Sequence, residues 1–120
     1  MKQQVNIPIP QYPWLHAVGP FAGSFNEEEI QWIDTDYAFM SEDTRKMYKK
    51  HALAEATSYL FPAVGNMELL RPFVRFMLWL TKFDDYYELC PRHELRGIRD
   101  HVIDVMLGAP PEKDDIGLVR

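Results

Sequence analysis

"FMLWLTKFDDYYELCP", residues 76–91, is the stretch on which the reading of this chain turns. It begins as a run of large apolar side chains and finishes in Asp84, Asp85 and Glu88. On a helix each residue advances by about 100°. With Phe73 set at zero, Phe76, Met77, Leu80, Phe83 and Tyr87 fall within about 80° of it, and Arg71, Arg75 and Lys82 fall close to the opposite side. The wheel therefore predicts an inner face through Phe73 and an outer face through the basic residues. Asp84 lies at about 20° and Glu88 at about 60°, within the apolar arc, and Asp85 sits at its edge near 120°. Carboxylates on a buried face are costly unless they are paired or bind a metal. Basic partners on neighbouring helices could neutralise them, but a hard cation explains more. Acids at i and i+4 lie one turn apart on one face, which suits Mg²⁺ that keeps most of its waters and also holds a phosphate. The competing reading is a helix end dipping into solvent, where acidic residues are ordinary.

The rest of the composition frames this choice. A chain of 120 residues can bury roughly two thirds of its unfolded surface, enough for one core. With 47% hydrophobic and 26% charged residues it has the composition of a globular protein. The net charge of −5 and the scattered Lys and Arg argue against a nucleic-acid backbone binder. The single cysteine, Cys90, excludes an internal disulfide framework and fits a reducing compartment. The opening "MKQQVNIPIP" lacks an apolar signal core, and Arg75 and Lys82 interrupt the longest apolar segment, so neither secretion nor a membrane span is expected. The expected location is cytoplasmic.

Helical signals follow one another after an extended arm. Pro8, Pro10, Pro13 and Pro20 forbid a regular helix in residues 1–25, while Ile7, Ile9, Tyr12, Trp14 and Phe21 are apolar enough to lie across a surface. Asn26 can cap a first helix with Glu27, Glu28 and Glu29 as a solvated first turn. Ser41 can cap a second that runs through His51 and Ala54 to Tyr59, ending at Pro62 and Gly65. Asn66 opens the long helix, with Pro72 in its second turn to kink it or delay its start. Pro91 suits the first position of a fourth helix, which Gly108 and Pro110 end. Asp114 and Asp115 can cap a fifth, of which only five residues follow. No window alternates like a strand, so the predicted class is all-α.

Order and spacing together resemble the class I terpene synthases, in particular the single-domain microbial cyclases. The likeness lies in the proline-containing arm, Trp32 on an early helix, "LAEATSYLFPAVGNMELL" with Pro62 and Leu69, and the aromatic helix ending in "FDDYYE", which looks like the Asp-Asp-x-x-Asp/Glu metal motif. "GAPPEKDDIGLVR" resembles the loop after the next helix. The resemblance implies that residues 26–120 form the N-terminal helices of an α-helical barrel or bundle. It further implies a prenyl diphosphate substrate such as farnesyl or geranyl diphosphate, three Mg²⁺ ions, ionisation of the carbon–oxygen bond and cyclisation of the allylic cation. By match, Asp84 and Glu88 would be magnesium ligands, Asp85 would hold a basic residue that senses the diphosphate, and Phe76, Leu80 and Phe83 would wall the cavity.

The family's second motif, Asn-x-x-x-Ser-x-x-x-Glu, and its late Arg-Tyr pair are absent from the 120 residues. This is expected of an N-terminal part, which alone would be inactive. A half-built barrel would expose apolar faces able to pair with a second copy, a homo-oligomer. A prenyl chain-elongating synthase and a non-enzymatic helical remnant that binds a protein are the alternatives. His16, His51, His93 and His101 read as solvent-facing or partly satisfied rather than metal ligands, Cys90 as a packing residue, and Asp114 and Asp115 as helix caps.

Overall fold

The computed structural model describes residues 6–13, 15 and 17–119, so Trp14 and His16 lie outside the described residues. Five helices follow one another: α1 (Asn26–Asp36), α2 (Glu42–Lys50), α3 (Leu53–Leu60), α4 (Met67–Tyr87) and α5 (Arg92–Met106). The chain is all-α, and no strand occurs among the described residues.

Two of the expected caps are formed. Ser41 Oγ accepts from the Thr44 amide at the start of α2, and Asn66 Oδ1 accepts from the Glu68 amide at the start of α4. Asn26 is not a cap. Phe25 holds the capping position of α1 without a side-chain hydrogen bond and is instead buried. Pro91 likewise precedes α5 rather than occupying its first turn. Helix α4 runs unbroken through Pro72 for 21 residues.

The single helix expected from Ser41 to Tyr59 is two helices. The chain breaks at Ala52, which adopts a left-handed conformation (φ 49°, ψ 47°) that a residue with a Cβ seldom takes. No local side chain caps α3. Its first amides are met by Glu29 of α1, whose carboxylate accepts from Leu53 N at 3.1 Å and Ala54 N at 3.3 Å. Glu29 is therefore not part of a solvated first turn: it is 3% exposed, and burial pushes its carboxyl above the usual range, opposed by those two amides and by Lys82 and His51. Glu28 is also engaged, in a two-point contact with Arg71 of α4 that holds its carboxyl below the usual range.

Two apolar clusters organise the helices. Phe25, Ala54, Leu70, Val74 and Leu78 form one, joining α1, α3 and α4. Ile33, Tyr37, Met40, Tyr48 and Leu118 form the other, with Trp79, Phe83, Tyr87 and Ile116 against it. Leu118 comes from the tail, where the helix expected after Asp114 and Asp115 does not form. The tail turns back instead. Trp79 Nε1 donates to the Leu118 carbonyl at 2.8 Å, and Gly117 lies so close to the Asp36 carbonyl that a Cβ would collide with it.

Much apolar surface stays open. Only the later part of the arm lies on the fold: Gly19 is buried against Ser58 and Phe21 packs on the first cluster, whereas Ile7, Ile9 and Leu15 are 78%, 90% and 95% exposed. Only Val102 is buried on α5. The accessible surface is 9308 Å², against about 6,700 Å² for a compact monomer of this mass. The radius of gyration, 17.5 Å, likewise exceeds the roughly 14 Å of a compact 120-residue domain.

If Glu29 holds the α2–α3 break, Glu29→Ala leaves two buried amides without an acceptor and should lower stability by about 1–3 kcal/mol in urea unfolding. Glu29→Gln keeps one acceptor and should lose less. An unchanged urea midpoint for Glu29→Ala would remove the capping account.

Candidate metal centre at the end of helix α4

The orientation of α4 differs from the one its apolar arc suggests. Its buried residues are Leu70, Val74, Leu78 and Lys82, spaced at four-residue steps. Phe73, Phe76 and Leu80, placed inside by the wheel, are 44%, 50% and 42% exposed. The buried line is centred about 120° around the wheel from Phe73. A helical wheel locates an apolar arc but not the neighbour that covers it, and here the aliphatic flank rather than the aromatic centre meets α1 and α3. Lys82, assigned to the outer side by its charge, is fully buried.

Burial of Lys82 is made tolerable by two rings. Its Nζ lies 4.9 Å from the centroid of Tyr37 and 4.4 Å from that of Tyr48, so the ammonium is faced by aromatic π-density from α2 and from the residue that ends α1. The Leu78 carbonyl, 3.5 Å away, is its only hydrogen-bond acceptor among the described residues. Burial draws the Lys82 pKa down to about 8, opposed by the negative charges of Glu29 and Asp85. Burial also pushes the Tyr37 hydroxyl up to about 12.

This rotation separates the three acids. Asp84 and Glu88 are exposed, on the same side of the helix as Phe73, Phe76 and Leu80. Asp85 projects along the buried line. Its Oδ2 accepts from the Tyr48 hydroxyl at 2.7 Å, and desolvation together with this bond raises the tyrosine pKa. All three acids are exposed, and Asp85 is in addition held by the Tyr48 hydroxyl of a neighbouring helix. The expectation that Asp84 and Glu88 face a packed interior of this chain is not met; they close the open apolar face.

Their position is at the negative end of the helix dipole. Residues 84–88 lie in the last turn of α4 and its cap, where unsatisfied carbonyls carry the negative end of the helix dipole, and no basic residue lies in that turn. Three carboxylates add to this negative potential. Lone carboxylates one turn apart, exposed and uncrowded, have the hardness and room that Mg²⁺ with retained waters requires.

The proposed cavity residues are not gathered into one pocket. Phe76 and Trp79 line an open groove of about 870 Å³ with Tyr37, Phe39, Val102, Met106 and residues 115–119. Phe83 lines a second, of about 600 Å³, with Arg92, Arg96, Arg99 and Met106. Leu80 lines neither. Tyr86 packs edge-on against Phe39, and Tyr87 against Phe83, so both pack the end of the helix. Cys90 has its thiol raised by burial and by Glu94, which leaves it protonated and poorly nucleophilic.

No protein-family model, curated protein or solved structure matches the chain. Sequence reasoning missed Tyr48 and Lys82, and nothing local could have found Tyr48, which lies 37 positions from the acid it binds.

Lys82 generates a test with a defined sign. Between its folded pKa near 8 and its ordinary 10.5 the unfolded chain holds a proton that the folded chain has released, so its contribution to stability rises with pH across that window. Other groups titrate there, so the measured quantity is the difference between the native chain and Lys82→Met. That difference should move in favour of the native chain by on the order of 3 kcal/mol from pH 8 to pH 10.5. A difference flat with pH would mean that the lysine is not desolvated.

Proposed function

We propose that this chain supplies the first metal motif and part of the hydrocarbon-facing surface of a class I terpene synthase, which ionises and cyclises a prenyl diphosphate such as farnesyl or geranyl diphosphate. The observation that supports this reading is the exposed face of α4, where Phe73, Phe76 and Leu80 lead along one side of the helix to Asp84 and Glu88. An apolar track ending in a pair of carboxylates has the polarity of an amphipathic substrate: a hydrocarbon chain along the rings and a metal-bound diphosphate at the acids.

In this reading Asp84 and Glu88 hold Mg²⁺, one or more of the three ions the reaction uses. Held there by Asp84 and Glu88, Mg²⁺ would supply charge stabilisation for a departing diphosphate. Phe76, together with Phe73, offers ring faces that stabilise an allylic cation without attacking it. Asp85 is kept from the ions by Tyr48 and contributes by fixing the end of the helix. The second motif, Asn-x-x-x-Ser-x-x-x-Glu, is not among the 120 residues, so the remaining metal ligands and the rest of the cavity come from outside them.

Mixed with Mg²⁺ and farnesyl or geranyl diphosphate, the 120 residues alone should release no diphosphate. A protein carrying them together with the second motif should yield cyclic hydrocarbons or alcohols, and Asp84→Ala in that protein should lower turnover by about 100-fold or more, the loss expected when a metal ligand for the leaving group is removed. Unchanged turnover in Asp84→Ala would overturn the metal assignment, and longer prenyl diphosphates as products would move the protein to chain elongation.

A further inference from the structure

A second group of metal-ligating side chains lies away from α4, where the tail meets α5. His101 projects from the third turn of α5, and Glu112 and Asp115 come from the tail. One ligand atom from each of the three lies within 4.8 Å of the others. The tail residues are set by a local turn in which the Glu112 amide donates to Asp115 Oδ2 at 2.6 Å and the Asp115 amide donates to the Glu112 carbonyl at 3.2 Å. The Asp115 side chain and the Glu112 backbone are thereby tied into one turn beside α5.

We propose that His101, Glu112 and Asp115 form a site for a borderline divalent cation such as Zn²⁺ or Mn²⁺, which pins residues 109–119 to α5. The site is independent of Asp84 and Glu88 and does not depend on the function proposed above.

Three observations lead to a cation of this type. First, His101 Nε2 is 2.9 Å from each Asp115 oxygen. Ligands bound to one ion at about 2.1 Å stand about 2.9–3.4 Å apart in octahedral or tetrahedral geometry, so the spacing already matches one edge of a coordination sphere. Second, the Asp115 side chain is only 10% exposed and is held by the His101 ring and the Glu112 amide, so its oxygens are fixed beside α5. Third, Glu112 is exposed at the open side of the pair, able to swing in as a third ligand and leave positions for water. One imidazole and two carboxylates suit Zn²⁺ or Mn²⁺ better than the all-oxygen coordination that Mg²⁺ and Ca²⁺ prefer.

The cation would act on packing. Leu118, three residues beyond Asp115, is buried in the second apolar cluster, and its carbonyl receives the Trp79 indole. Fixing Asp115 to α5 restrains the segment that delivers Leu118. The site thus couples an ion to the closure of the groove beside Phe76 and Trp79.

The test is titration of the purified, metal-free chain with Zn²⁺, and in parallel with Mn²⁺, followed by calorimetry and by thermal unfolding. We expect saturable binding of one ion and a rise in the unfolding temperature that grows with ion concentration. Glu112→Gln, at an exposed position where folding is not at risk, should weaken binding by roughly 10–100-fold, and His101→Gln by at least as much. Asp84→Asn with Glu88→Gln should leave this affinity unchanged. Absence of saturable binding, or an affinity in Glu112→Gln and His101→Gln equal to that of the native chain, would overturn the proposal, as would loss of the affinity in the Asp84/Glu88 variant.

Discussion

The buried ammonium of Lys82 is the constraint on which the arrangement of this chain depends. It sits where α1, α2 and α4 converge, between the rings of Tyr37 and Tyr48. A charge in that position tolerates little freedom, because movement away from the rings would leave it desolvated and unfaced. The consequence is rotational. With Leu70, Val74, Leu78 and Lys82 turned inward, the remaining surface of α4 has no choice of direction. Phe73, Phe76 and Leu80 turn outward, and the last-turn acids are sorted by where they lie relative to Lys82.

That sorting gives the end of α4 its chemical character. Asp85, next to the buried line, meets the Tyr48 hydroxyl, so the same tyrosine faces the ammonium with its ring and the carboxylate with its oxygen. Asp84 and Glu88 are left to solvent at the negative end of the helix dipole.

The remaining architecture is governed by contacts distant in sequence. The break between α2 and α3 is held by Glu29 from α1. The second cluster is completed by Leu118 from the tail. Helix α5 buries little more than Val102, and the accessible surface exceeds that of a compact chain of the same size. Large apolar side chains on α4 and α5, among them Phe73, Phe76, Met106 and Leu107, stay exposed.

By itself the sequence determined the class and the elements. Ser41 and Asn66 mark the starts of α2 and α4 because their side chains satisfy first-turn amides locally, and the absence of alternation excludes strands. It also determined that Asp84 and Glu88 share a helix face with Phe73, Phe76 and Leu80, since that follows from 3.6 residues per turn alone. Only the tertiary structure decided which way that face points, because an apolar arc records what could be buried and not what arrives to bury it. The same holds for Ala52, where no local signal marks the break, for Lys82, whose charge argued for solvent until two rings from other elements enclosed it, and for Asp115, which has the residue type of a helix cap but is held by a histidine 14 positions earlier. Local hydrogen bonds and helical phase are written within a few residues; burial and pairing are set by partners that the chain brings together only on folding.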